Sequence, residues 1–180
     1  MINETHMMHG RDYSGQDVTG WLMSEKHNGC RAYWDGEFMW SRGGRPIAIP
    51  AAMAERLPST RLDGELHAGR DGYEAARRFV QYGHWDAQIQ FSAFDAPGIP
   101  GTFRKRYAWL EANLPDDGIV NYIQHDECLG IDDAVAFMAD IQDNYGGEGV
   151  VLRDPENRYM AAGAKMHRTA EVLKLKERPE

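Results

Sequence analysis

Residue types able to do chemistry concentrate first in Ser24-Glu25-Lys26-His27-Asn28-Gly29-Cys30-Arg31. A lysine at a strand end, followed by a glycine-containing turn and an arginine, can project its amine into a groove beside a permanent cation. Neighbouring positive charge and partial desolvation leave more of an amine neutral and nucleophilic. Taken alone the string is weak, because most lysines at turns are simply solvated. It is followed in order by Ser41-Arg42-Gly43-Gly44, Leu62-Asp63-Gly64-Glu65-Leu66, Phe91-Ser92-Ala93-Phe94-Asp95, Glu148-Gly149-Val150-Val151 and Val172-Leu173-Lys174-Leu175-Lys176. Strand alternation in the last segment puts Lys174 and Lys176 on one face and Leu173 and Leu175 on the other. Two ammonium groups on one face repel unless an anion sits between them, a geometry that suits phosphate. A solvated edge strand is the other physical reading of that pair.

Several neighbours have plainer readings. Asp63 precedes a glycine and reads as a turn former. Phe91 and Phe94 fall on opposite faces of an extended strand, so at least one belongs to the core. His6 and His9 stand at metal-like spacing, but a zinc site is not expected of them. Tyr33, Trp34 and Trp40 read as hairpin packing, and Met7-Met8 carries no signal.

The elements that must position these residues follow from period and punctuation. Residues 21–25 read as a strand ending at Lys26. Residues 31–34 and 37–41 flank Asp35-Gly36, read as a two-residue hairpin turn with φ > 0 favoured at both positions. Residues 62–67, 89–94, 119–124, 149–153 and 171–176 read as further strands. Helical spacing covers residues 73–82, 103–114 and 132–145, the last with an acidic start and a Gly146-Gly147 stop. Hairpins and helices without regular βαβ alternation predict an antiparallel-rich α+β fold, in one domain over residues 1–180.

The chain has 180 residues, 42% hydrophobic and 27% charged, as expected of a globular protein with a substantial core. No apolar run is long enough to span a membrane. The opening MINETHMMHG has neither a basic start nor an apolar stretch, so no secretory signal is expected. Cys30 and Cys128 form no CxxC pair, which fits a reducing cytoplasm. The net charge of −8 argues against wrapping of nucleic acid by the whole surface. Its distribution is uneven. Residues 111–148 hold ten acidic side chains and no Lys or Arg, while residues 151–178 hold Arg153, Arg158, Lys165, Arg168, Lys174, Lys176 and Arg178. One side can therefore bind anions while the other repels phosphate. Lysines are few (Lys26, Lys105, Lys165, Lys174, Lys176), and lysine is the basic side chain that can become a neutral nucleophile. No P-loop or Rossmann glycine pattern is present.

In this order the segments resemble the covalent nucleotidyltransferase superfamily of polynucleotide ligases and mRNA capping enzymes. Within it they look most like the adenylation domain of small ATP-dependent DNA ligases of bacteria and phages. SEKHNGCRAYWDG with SRGG looks like the nucleophile motif and its hairpin, and LDGEL, FSAFD, EGVVLR and EVLKLK look like the motifs that follow. An ordered set over residues 20–176 is far more specific than any one string. The resemblance implies an ATP-grasp-like domain with flanking helices. It implies ATP and Mg²⁺ (or Mn²⁺) as cofactors, and nicked duplex DNA as the partner of a monomeric cytoplasmic enzyme of repair, replication or recombination.

It also implies roles. Lys26 would attack the α-phosphate of ATP to give a lysyl-AMP phosphoramidate. Glu25 would help bind the nucleotide, Arg31 would hold the adenylate or the nick phosphate, and Arg42 would contact the 5′-phosphate or ribose side. Glu65 would bind the ribose hydroxyl, and Glu65 and Glu148 would hold metal. Phe94, rather than Phe91, would stack on adenine. Lys174 and Lys176 would neutralise the α-phosphate, with Arg168 assisting on the nucleic-acid side. These residue types suit the tasks: carboxylates fit hard Mg²⁺, and cations stabilise charge on phosphate.

The chain departs from the pattern twice. Asn28 stands where the family usually has Asp, keeping shape and hydrogen-bonding capacity but losing a charge. The sequence also stops four residues after Lys176, so no OB domain is expected within it. An RNA ligase, a capping-type guanylyltransferase and a noncatalytic nucleotide- or nick-binding module are the competing readings.

Overall fold

The strands of this chain pair into two sheets, and helices pack against each of them. The computed structural model describes residues 2–176, so Arg178 of the basic stretch lies outside the described residues. After a 3₁₀ turn at Glu4–His6 come strands β1 (His9–Asp12), β2 (Leu22–Glu25), β3 (Cys30–Trp34), β4 (Met39–Ser41) and β5 (Pro46–Ile47), then the single-turn helix α1 (Ala51–Ala54). Next are β6 (Leu62–His67), α2 (Tyr73–Tyr82), β7 (Gln90–Asp95), α3 (Phe103–Asn113), β8 (Val120–Tyr122) and β9 (Asp126–Glu127). Helix α4 (Ile131–Tyr145), β10 (Val150–Arg153) and β11 (Arg168–Leu175) complete the order.

The strands pair as a five-stranded sheet, β1-β11-β10-β2-β9, and a six-stranded sheet, β5-β4-β3-β6-β7-β8. Pairing is antiparallel except for β1 with β11 and β7 with β8. The α+β, antiparallel-rich expectation therefore holds. No helix among the described residues is long and apolar enough to cross a membrane.

Each sheet has its own core. Phe79 of α2, Leu110 of α3, Leu62, Leu66, Phe91 and Met53 close the six-stranded sheet. Met138 and Ile141 of α4 pack on Met23, Val150, Leu152, Leu173 and Leu175 of the five-stranded sheet. Burying a side chain of this size stabilises by about 1.5–3 kcal/mol, so each layer is held by several such contacts. Helix α4 starts with Asp132 and Asp133, which suit the positive end of the helix dipole, and stops at Gly146 in the left-handed conformation (φ 66°).

Two local readings change. The β3–β4 turn is centred on Gly36-Glu37, one residue later than expected. Asp35 N–H donates to Phe38 O at 3.0 Å, and only Gly36 takes a positive φ (107°). The Asp35 carboxylate accepts from the Glu37 and Phe38 amides (2.9 and 2.7 Å) and from Trp40 Nε1, which holds Asp35 outside the turn as its cap. Asp63 forms no turn either. It sits inside β6 opposite Tyr33, with no exposed surface, because Arg31 and Tyr159 satisfy its carboxylate there. The hairpin aromatics pack as expected: Tyr33 and Trp34 are buried, and Trp34 Nε1 donates to Pro58 O.

Candidate active site

Strand register places the chemistry on facing walls of one cleft. On the five-stranded sheet, Ser24 of β2 lies opposite Val151 of β10, which lies opposite Lys174 of β11. On the six-stranded sheet, Arg31 of β3 lies opposite Glu65 of β6. All five line a cleft of about 930 Å³, counted out to its open mouth, together with Lys26, Arg42, Asp63 and Phe94.

Lys26 follows directly on β2, and its N–H donates to Gly149 O at 2.8 Å, which holds it beside the residue that leads into β10. The turn that returns the chain into β3 needs its glycine. A Cβ on Gly29 would stand 2.3 Å from Leu66 O of β6, closer than any side chain allows. His27 packs edge-on against His67 (centroids 4.5 Å apart), whose Nε2 meets Ser92 Oγ at 2.8 Å. Burial depresses both imidazoles to about 4, helped by Arg70 and Lys26 at His27 and by His27 at His67, so both are neutral at pH 7. Asn28 is exposed at the turn.

The Lys26 ammonium is bonded to Glu148 Oε2, and Lys176 Nζ reaches Glu148 Oε1 at 3.1 Å. Burial alone would raise Glu148; the two ammonium groups outweigh it and hold the carboxyl below its ordinary range. The loop carrying Glu148 is fixed from α4, where Gln142 Nε2 donates to Glu148 O and Lys176 O at 3.2 and 3.1 Å. Glu65 behaves in the opposite way. Burial pushes it up to about 7 against the pull of Lys26 and Arg31. Burial lowers Lys174, and the nearby cations Arg168, Lys26 and Lys176 add to that against the opposing charge of Asp12.

Arg31 is anchored on Asp63 through Nε and Nη2 (3.0 and 2.7 Å). Phe94 is half-buried in the cleft, with the Arg31 and Arg153 guanidiniums 5.4 and 5.0 Å from its ring centroid, whereas Phe91 is wholly in the core. Glu25 lines the cleft and is clamped by Arg70 at 2.6 and 2.9 Å. Arg42 reaches the cleft from the β4–β5 turn with its exposed Nε on Glu4 (2.9 Å).

The structure thus gathers Glu25, Lys26, Arg31, Arg42, Glu65, Phe94 and Lys174 around the cleft, with Glu148 bonded to Lys26 at its edge. Lys176 joins through Glu148, half-exposed at the rim. Arg168 stands apart from the lining, exposed at the start of β11 with Nη1 on Gly10 O at 3.2 Å. Sequence reasoning missed Met8, His9 and Gly10, which line the cleft because β1 runs parallel to β11. It also missed Tyr159, and Arg153, counted in the basic stretch, is buried against Asp95 at the inner wall of the cleft rather than on an open basic side. His9 Nε2 meets Glu4 O at 2.9 Å. Local patterning carries no signal for a pairing between the first strand and the last.

The donor set fits a nucleoside triphosphate: cations for the phosphates, a carboxylate for hydroxyl donors, and Phe94 and Val151 as apolar walls. Glu65 and Glu148 are hard oxygen donors suited to Mg²⁺. Among the described residues no group of three or more His, Cys, Asp or Glu could hold a metal by itself, so phosphate oxygens and water would complete the shell.

Comparison with known proteins gives the same direction. No family model matches the chain. A DNA ligase of Haemophilus influenzae is 32% identical over 169 residues, covering 91% of this chain and 60% of that protein. The chain therefore spans about three-fifths of the length of this curated relative. A solved structure of a Lig E DNA ligase superposes with a TM-score of 0.82 at 23% identity, over 95% of this chain and 68% of that one. The Chlorella virus DNA ligase-adenylate superposes with a TM-score of 0.73 at 19% identity, over 94% and 67%. An archaeal ATP-dependent RNA ligase is less similar, with a TM-score of 0.52. In sequence the chain is thus similar to a DNA ligase, and it shares the fold of the DNA ligases of known structure.

Proposed function

We propose that this chain is the adenylyl-transferring domain, residues 1–180, of an ATP-dependent DNA ligase. The observation that carries the reading is Lys26, held at a strand end by Glu148 in a cleft that also presents Phe94, Glu65 and Lys174. Lys26 Nζ, once deprotonated, attacks the α-phosphorus of ATP. A P–N bond forms, the P–O bond to pyrophosphate breaks, and lysyl-AMP results. Lys174 and Lys176 stabilise the charge that develops on the α-phosphate, Glu65 and Arg31 hold the ribose and phosphate side, and Phe94 stacks on the base. Mg²⁺ on Glu65 and Glu148 would supply charge neutralisation at the phosphates. AMP then passes to the 5′-phosphate of a nick, and attack by the 3′-hydroxyl seals the strand with loss of AMP.

Arg42 and Arg168 contact the nicked duplex, so binding weakens steeply with salt. The protein acts as a monomer in the cytoplasm, where its free cysteines fit a reducing compartment.

Incubation with α-labelled ATP and Mg²⁺, followed by a denaturing gel, tests the reading. A labelled protein band is expected with ATP, and neither GTP nor NAD⁺ should replace it. Lys26→Ala should lose the band entirely while shifting the unfolding free energy by about 1 kcal/mol or less, since a half-buried pair is all that is lost. Label retained by the alanine variant would move the nucleophile elsewhere. Sealing of nicked DNA in preference to nicked RNA separates the DNA ligase from the RNA ligase reading.

A further inference from the structure

Met8 stands in the cleft wall with both of its backbone polar groups taken by side chains from other parts of the chain. Its N–H donates to Tyr159 Oη at 3.0 Å, and its C=O accepts from Arg31 Nη2 at 2.6 Å. Tyr159 Oη–H donates to Asp63 Oδ2 at 2.6 Å, an oxygen that also accepts from Arg31 Nη2 at 2.7 Å. Arg31 Nε completes the set on Asp63 Oδ1 at 3.0 Å. The bonds run from Met8 to Tyr159 to Asp63, back through Arg31 to Met8, and close. This ring joins the segment before β1, strands β3 and β6, and the connection between β10 and β11. It therefore ties both sheets together at the cleft.

A guanidinium on a flexible stem is fixed in plane by a bidentate carboxylate only if that carboxylate cannot itself turn. Here Asp63 is wholly buried, and among the described residues Tyr159 is its remaining side-chain donor besides Arg31. Burial, with Asp63 adding, raises the Tyr159 phenol well above its ordinary range, so its proton stays available for donation. Arg31 Nη1 has no partner among the described residues and is the nitrogen left for a ligand.

The geometry points to Tyr159 as a positioning residue for adenylyl transfer, which locks Asp63 and the Met8 backbone so that Arg31 is presented in one orientation to the nucleotide. This rests on the proposed function, because the nucleotide is what Arg31 is positioned for. Second-sphere donors of this kind, and misplacements of about 1 Å, are typically worth factors of ten to a hundred in rate.

Single-turnover labelling of the protein by ATP separates positioning from mere stabilisation. The amplitude counts folded, competent molecules, and the rate constant at saturating ATP reports how well each is organised. Tyr159→Phe, which removes one oxygen, should keep most of the amplitude and lose roughly ten- to a hundredfold in rate constant. Tyr107→Phe serves as the control, since its Oη accepts from His125 N–H at 3.0 Å away from the cleft. It should keep the wild-type rate constant even where its melting temperature falls. A wild-type rate constant in Tyr159→Phe, with loss confined to amplitude or melting temperature, would overturn the inference. If Tyr159→Phe gives no folded protein, Asp63→Asn carries the same test: slowing supports positioning, and a wild-type rate constant refutes it. Absence of any covalent adenylate on the wild-type chain would instead remove the proposed function itself.

Discussion

Asp95 and Glu148 each collect two cations, yet the two clusters do opposite things. Asp95 has no exposed surface and is gripped by Arg106 (2.6 and 3.2 Å) and, more loosely, by Arg153 (3.4 Å). Arg106 also spends Nη1 on Gly101 O and Nη2 on Asn157 Oδ1, so its planar fork is fully committed. Glu148 keeps 29% of its side chain exposed and is shared by Lys26 and Lys176, point charges on flexible stems. An arginine pair sealed from water cannot exchange partners or protons. A lysine pair at an open edge can do both. One carboxylate with two cations is therefore a structural pin in the first place and a rearrangeable reaction site in the second.

The largest way to break this contrast is at the pin. Asp95→Ala leaves two buried guanidiniums without their counter-charge, which should cost ~3–5 kcal/mol in urea unfolding. A cost below about 1 kcal/mol would mean that water enters the site and the contrast of burial is lost. Glu148→Ala should do the reverse. Its effect on unfolding should stay within about 1 kcal/mol, while lysine adenylation slows by roughly a hundredfold and half-saturation by Mg²⁺ moves to higher concentration. Unchanged rate and metal titration would make Glu148 a structural turn residue.

The smallest effect sharpens the comparison through pH. Glu65 sits at about 7 in the folded chain against an ordinary 4.5. Between those values the folded protein binds a proton that the unfolded chain has released, so stability falls as pH rises across the window and the full cost is present above it. Glu65→Gln should flatten this slope, visible as a melting temperature less dependent on pH between pH 5 and 8. An unchanged slope would show that Glu65 is solvated enough to stay ionised.

The sequence made legible what rests on local pattern. Alternation in Val172–Lys176 correctly places Leu173 and Leu175 inside and Lys174 toward the cleft. The helix over Tyr73–Tyr82 and the strand over Leu62–His67 match residue for residue. The ordered motifs also led to the lysine that the cleft gathers. What stayed hidden depends on long-range partners. Asp63 looked like a turn former because Asp-Gly usually is one; only Arg31 and Tyr159, far off in sequence, make its burial in a strand tolerable. Tyr159 lies in an irregular connection where no period applies, and Met8 contributes through its backbone, which no side-chain pattern can announce.

The parallel pairing of β1 with β11 has a consequence for how the protein is made. Residues 9–12 leave the ribosome well before residues 168–175 and wait for them before they have a partner. The six-stranded sheet closes among residues 30–122 and can form while synthesis continues. The five-stranded sheet cannot, since β11 is the strand that both β1 and β10 require. Contacts of such sequence separation are slow to form because chain entropy is lost before they stabilise anything. A nascent chain therefore carries one wall of its cleft, and the exposed partner surfaces of the other, until almost its last described residue has been added.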